Sequence, residues 1–66
     1  MSVVVRNEEL RTVRDAMRTL NRMVESLDQG DIEKFVLMRG SKMCAVILSF
    51  EDYADLLARK DRNEPA

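Results

Sequence analysis

A chain of 66 residues with one cysteine and no histidine has neither an internal disulfide nor a zinc-type ligand set with which to staple a small fold. A chain of this size buries only about 60% of its unfolded surface, so self-association is the expected source of further burial. A hydrophobic share of 45%, a charged share of 35% and a formal charge of −1 describe a globular domain without an overall pull towards nucleic acid or membrane; binding of either kind has to rest on local patches.

No stretch approaches the ~20 apolar residues of a membrane span. The opening Met1-Ser2-Val3-Val4-Val5-Arg6 lacks the charged entry and apolar run of a secretory signal, so a reducing cytoplasm is the expected compartment. Val3 to Val5 is a β-branched triplet and predicts a short strand. Asn7 is suited to capping a helix, and Glu8 and Glu9 fall where the helix dipole favours carboxylates, so a helix is expected from about Glu8. Leu10, Val13, Met17, Leu20, Val24 and Leu27 recur at spacings of 3, 4, 3, 4 and 3, with Ala16 and Met23 widening the stripe. The helix should close near Asp28, because Gly30 supplies a left-handed position. It serves either as an ordinary core-facing helix or as one that also packs on a second copy.

After a polar connection, Asp31 to Lys34, the pattern changes to two apolar runs, Phe35 to Met38 and Met43 to Leu48, around Arg39-Gly40-Ser41-Lys42. That pattern predicts a β-hairpin. Both faces of its strands are apolar, and one helix cannot cover both. A second copy is therefore expected on the hairpin, with Phe35, Leu37, Met43, Ala45 and Ile47 at the dimer interface. Ser49-Phe50-Glu51-Asp52 is a variant capping box that opens a helix from Phe50 to about Lys60, with Tyr53, Leu56 and Leu57 expected to face the core. Residues 1–60 thus form one α+β domain, and 61–66, without an apolar anchor, a flexible tail.

Residues 35–53 resemble the Phd/YefM family of bacterial antitoxins: an apolar strand, Arg39 and a polar turn, an Ala45-Val46 strand, then Ser49, Phe50, Glu51, Asp52 and Tyr53 in register. The resemblance covers about a third of the chain, and the order of strand, helical region, hairpin and helix over residues 3–60 also fits. It implies a homodimer with an intertwined sheet, a DNA-binding surface near the amino-terminal ends of both copies, repression of the protein's own toxin–antitoxin operon, and a cognate toxin as a further partner. Where the family carries an early Ser-Glu-Ala-Arg-like stretch that contributes DNA contacts, this chain has Asn7-Glu8-Glu9-Leu10, with Leu10 in the Arg position.

Catalysis has little support: there is no histidine or glycine-rich phosphate loop, the thiol of Cys44 falls in an apolar strand, and the acids of the last helix read as a solvated face. No cofactor and no metal are expected. Arginine is the polar constellation that stands out. Arg11, Arg14, Arg18 and Arg22, spaced 3, 4 and 4, would line one side of the first helix, with Arg6 before it and Arg39 and Lys42 in the hairpin turn. With Asn7 these are the expected DNA contacts, since guanidinium groups bind phosphate and base edges and a two-fold axis would present two half-sites. The competing expectation is a dimeric interaction module that does not bind DNA and recognises a toxin or other protein through its helix faces.

Overall fold

The computed structural model describes the backbone of residues 3–63 and the side chains of residues 3–60. Over the described residues the protein is α+β, with two α-helices and one three-stranded sheet. A 3₁₀ turn at Asn7–Glu9 leads into β1 (Leu10–Thr12), followed by α1 (Val13–Gln29), β2 (Phe35–Arg39), β3 (Lys42–Ile47) and α2 (Phe50–Asn63). The sheet order is β1-β2-β3, with β1 parallel to β2 and β2 antiparallel to β3.

The first strand is not at Val3–Val5, as its branched residues suggest, but at Leu10–Thr12. Leu10 aligns with Val36, Arg11 with Leu37 and Thr12 with Met38, so a long-range pairing outweighs local propensity. Among the described residues Val3 to Val5 has no strand partner; Val3 and Val5 instead line a hollow with Val36, Met43 and Val46 on the outer face of the sheet. This shift also moves the helix start from Glu8 to Val13. Thr12, not Asn7, is the cap, its Oγ1 accepting the Asp15 backbone N–H at 3.0 Å. Asn7 belongs to the preceding 3₁₀ turn. The helix ends as its glycine indicates: Gly30 is left-handed (φ 77°) and its N–H returns to the Leu27 carbonyl.

One side of the sheet carries the core. Ala16, Met23 and Leu27 of α1 close over Phe35, with Ile32, Leu37 and Ile47 packed around them. The other half of the anticipated apolar stripe, Met17, Leu20 and Val24, is left exposed. Within α1, Thr19 departs from helical geometry (φ −121°, ψ 17°), and its hydroxyl donates to the Asp15 carbonyl at 2.9 Å, a local bond that competes with the helical ladder and bends it.

The hairpin forms where expected and turns at Gly40, whose positive φ of 64° suits the first position of a primed two-residue turn. A one-residue register shift between Leu37 and Met38 leaves Met38 opposite Met43 and Cys44 without an opposite residue. Strict alternation put Met43 on the face of Ala45 and Ile47. The bulge places it instead with Met38, Val36 and Val46 on the outer face. Phe35 is also removed from the anticipated dimer interface: it is 2% exposed, beneath α1 of its own chain.

Ser49 caps α2, accepting the Asp52 N–H at 3.0 Å, as the capping-box variant indicates. The helix continues past Lys60 to Asn63, and of the tail expected over residues 61–66, residues 64–66 lie outside the described residues. Tyr53, Leu56 and Leu57 do not face the core; each is about half exposed, and every residue from 50 to 60 lies at the surface.

Candidate nucleic-acid interface

The anticipated cationic set divides by position. Because β1 runs parallel to β2 with Thr12 beside Met38, α1 begins at the same end of the sheet as the hairpin turn. Arg14, in the first turn of α1, and Arg39 and Lys42, which face each other across the hairpin, therefore gather at one end, all exposed. The positive pole of the α1 dipole lies there too, and it favours an anion. Asp15 is the acid beside this group.

Arg18 and Arg22 continue from Arg14 along the outer surface of α1, both exposed, but the non-helical Thr19 falls between them and interrupts a straight row. Arg11 is not in that row, because it belongs to β1. Its Nη1 donates to the carbonyls of Leu10 at 2.7 Å and Glu8 at 3.0 Å, and its guanidinium lies over the Phe35 ring, 5.0 Å from the centroid. Arg11 thus lids the core with a cation–π contact. Arg6 and Asn7 sit at the opposite end of the sheet, near the start of β2, where the Arg6 guanidinium is 4.0 Å from the Glu8 carboxylate.

That opposite end holds a polar feature that sequence reasoning missed. Glu9 is 2% exposed. Its carboxylate accepts the Arg6 backbone N–H at 2.8 Å and faces the Lys34 ammonium at 3.1 and 3.3 Å. The Arg6 backbone hydrogen bond first, and then the Lys34 ammonium, hold the Glu9 carboxyl below its usual range, against the desolvation that pushes it up. The pair joins the 3₁₀ turn to the approach to β2, Glu9 one residue and Lys34 two residues outside the three-residue β1–β2 ladder. In the sequence Glu9 is one of two adjacent acids, and 25 positions separate it from Lys34. Only the parallel strand pairing brings them together.

Of the remaining polar candidates, Cys44 is exposed at the bulge and its thiol points to the Leu37 carbonyl at 3.4 Å. Among the described residues no group of three or more histidine, cysteine or acidic side chains is placed to hold a metal ion, and no helix is long and apolar enough to cross a membrane. No family model, characterised protein or solved structure matches the chain.

Proposed function

We propose that the protein is a homodimeric repressor of the antitoxin type, which binds its own operator through the hairpin-turn end of each protomer and has a cognate toxin as a second partner in the bacterial cytoplasm. The observation that carries this reading is the meeting of Arg14, Arg39 and Lys42 with the amino terminus of α1 at one end of the sheet. Three exposed cations beside a helix N-terminus suit backbone phosphates, and duplication by a two-fold axis offers two such contacts. The resemblance of residues 35–53 to Phd/YefM antitoxins supports the same reading. Arg18 and Arg22 extend the contact along α1, whereas Arg11, Arg6 and Asn7 have no part in it as direct contacts.

A mobility-shift titration with DNA from upstream of the reading frame, repeated at several salt concentrations, tests the reading. Binding should weaken steeply with salt, and each of Arg14→Ala, Arg39→Ala and Lys42→Ala should lower the slope of log K against log salt by about 2 in a dimer. Absence of binding at low salt, or an unchanged slope in all three variants, sinks it.

The engagement of Arg11 with Phe35, together with Leu10 in place of a cation, favours a second reading, in which the dimer recognises a protein and not DNA. Recovery of a stoichiometric protein partner from the native host, with no operator binding in the shift assay, would select it.

A further inference from the structure

The cationic end of the sheet is put together through a short strand with few backbone partners. β1 is three residues long, lies at the edge of the sheet and, among the described residues, pairs with β2 alone. It enters α1 without a linker, since Thr12 is both the last residue of the strand and the cap of the helix. Beyond the cap, the first stretch of α1 has little packing of its own. Of the buried α1 side chains only Ala16 precedes the non-helical Thr19, while Met23 and Leu27 follow it. The place of Arg14 beside Arg39 and Lys42 therefore depends on where β1 sits along β2. A slip of one residue would carry Arg14 by about 3.3 Å and turn every β1 side chain to the opposite face.

Arg11 opposes such a slip. It lies beside Leu37 on the core side of the sheet and reaches over the Phe35 ring, its guanidinium 5.0 Å from the centroid. The bonds from its Nη1 to the Leu10 and Glu8 carbonyls, 2.7 and 3.0 Å, fix the guanidinium to its own strand, and the ring then fixes it to β2. A slip of one residue turns Arg11 to the outer face; a slip of two keeps the face and loses the ring. A charge pointing inward at a sheet edge favours one register in this way. The Glu9–Lys34 pair, 3.1 Å apart, holds the strand at its entrance, and Arg11 holds it along its length.

We propose that Arg11 is a positioning residue for operator binding: seated on Phe35, it fixes β1 along β2 and so keeps Arg14 beside Arg39 and Lys42 without itself touching DNA. This rests on the repressor reading above. When the seat is lost, β1 loosens and has to be ordered again as DNA binds, which weakens binding. The bound state then makes the same phosphate contacts, so the salt slope is kept.

The test uses the full-length chain and DNA from upstream of the reading frame. Arg11→Leu covers the ring and removes the charge; Phe35→Leu removes the ring and leaves the charge. Far-ultraviolet dichroism reports that each is folded under the conditions of the titration. At one low salt concentration affinity should fall about five-fold in either variant, and no further when the two changes are combined. The slope of log K against log salt should stay that of the natural chain. In Arg11→Leu the amides of the β1–β2 ladder should exchange about five-fold faster, while those of the β2–β3 ladder keep their rates. A slope lowered by about 2 in Arg11→Leu makes Arg11 a phosphate contact and overturns the proposal. Unchanged affinity in either folded variant, or unchanged exchange in β1, overturns it as well. Each of these results leaves the repressor reading standing, because the natural chain still binds. Absence of binding by the natural chain at low salt removes that reading and the role of Arg11 together.

Discussion

The helices α1 and α2 are written in the same pattern and end in different surroundings. Each opens on a hydroxyl cap, Thr12 or Ser49, and each carries an apolar stripe with charges on the far side. Yet α1 buries Ala16, Met23 and Leu27 against the sheet, whereas α2 exposes every described side chain. Periodicity states that a face wants cover; what covers it depends on where the chain puts the helix. The α1 helix follows a strand and returns across the sheet. The α2 helix leaves from the far end of β3, where α1 already covers one face of the sheet.

Core substitutions should divide the two helices most sharply. Leu27→Ala removes a buried side chain from beneath α1 and should cost about 2–5 kcal/mol. For a chain of this length, whose whole stability is on the order of 3–10 kcal/mol, that leaves little of the folded state. Leu57→Ala, measured at a concentration too low for association, should change protomer stability by less than about 0.5 kcal/mol. Urea unfolding of the two variants checks this. If their midpoints fall equally, α2 is packed within the protomer and the contrast is wrong.

Next in size is the Glu9–Lys34 pair, which anchors the approach to β1 and has no equivalent near α2 among the described residues. Lys34→Ala strands a carboxylate that is 2% exposed and should lower the urea midpoint more than the double change Glu9→Gln with Lys34→Met, which removes both charges. The pH dependence has a definite sign. Because the folded state lowers the Glu9 pKa from its ordinary 4.5, the carboxylate's contribution is complete above that value and is lost as pH falls through the lower folded value. Midpoints taken from about pH 6 to pH 3 should therefore fall more steeply in the natural chain than in Glu9→Gln. Parallel curves for the two would remove Glu9 as a contributor.

How much of this was legible in the sequence follows the range of the interactions. Gly30, the turn at Gly40 and the Ser49 cap act within a few residues, and each falls where the sequence places it. The first strand depends on partners 26 positions along the chain, as Leu10 pairs with Val36, and the branched Val3–Val5 triplet was the stronger local signal. That single displacement carries Arg11 out of the helical row, moves the cap from Asn7 to Thr12 and buries Glu9. The one-residue bulge beside Cys44 likewise reverses the face of Met43, which period-two counting cannot register. In the candidate site, Arg39, Lys42 and Arg14 were legible as residues. Their meeting at one end required the parallel register of β1 and β2.

The smallest expected effect carries the comparison into the caps themselves. Thr12→Ala and Ser49→Ala each delete one side-chain acceptor at a helix start, with bonds of equal length, 3.0 Å, in the two cases. An uncapped helix whose face is buried cannot fray without exposing its core, so the loss at Thr12 should reach global stability at about 1 kcal/mol. An uncapped helix with nothing packed on it frays locally. Ser49→Ala should therefore speed amide exchange in the first turns of α2 by about five-fold and leave the protomer's urea midpoint in place. If Ser49→Ala lowers the midpoint of the dilute protomer as much as Thr12→Ala does, α2 belongs to the cooperative fold of one chain, and the difference between the helices lies in something other than cover.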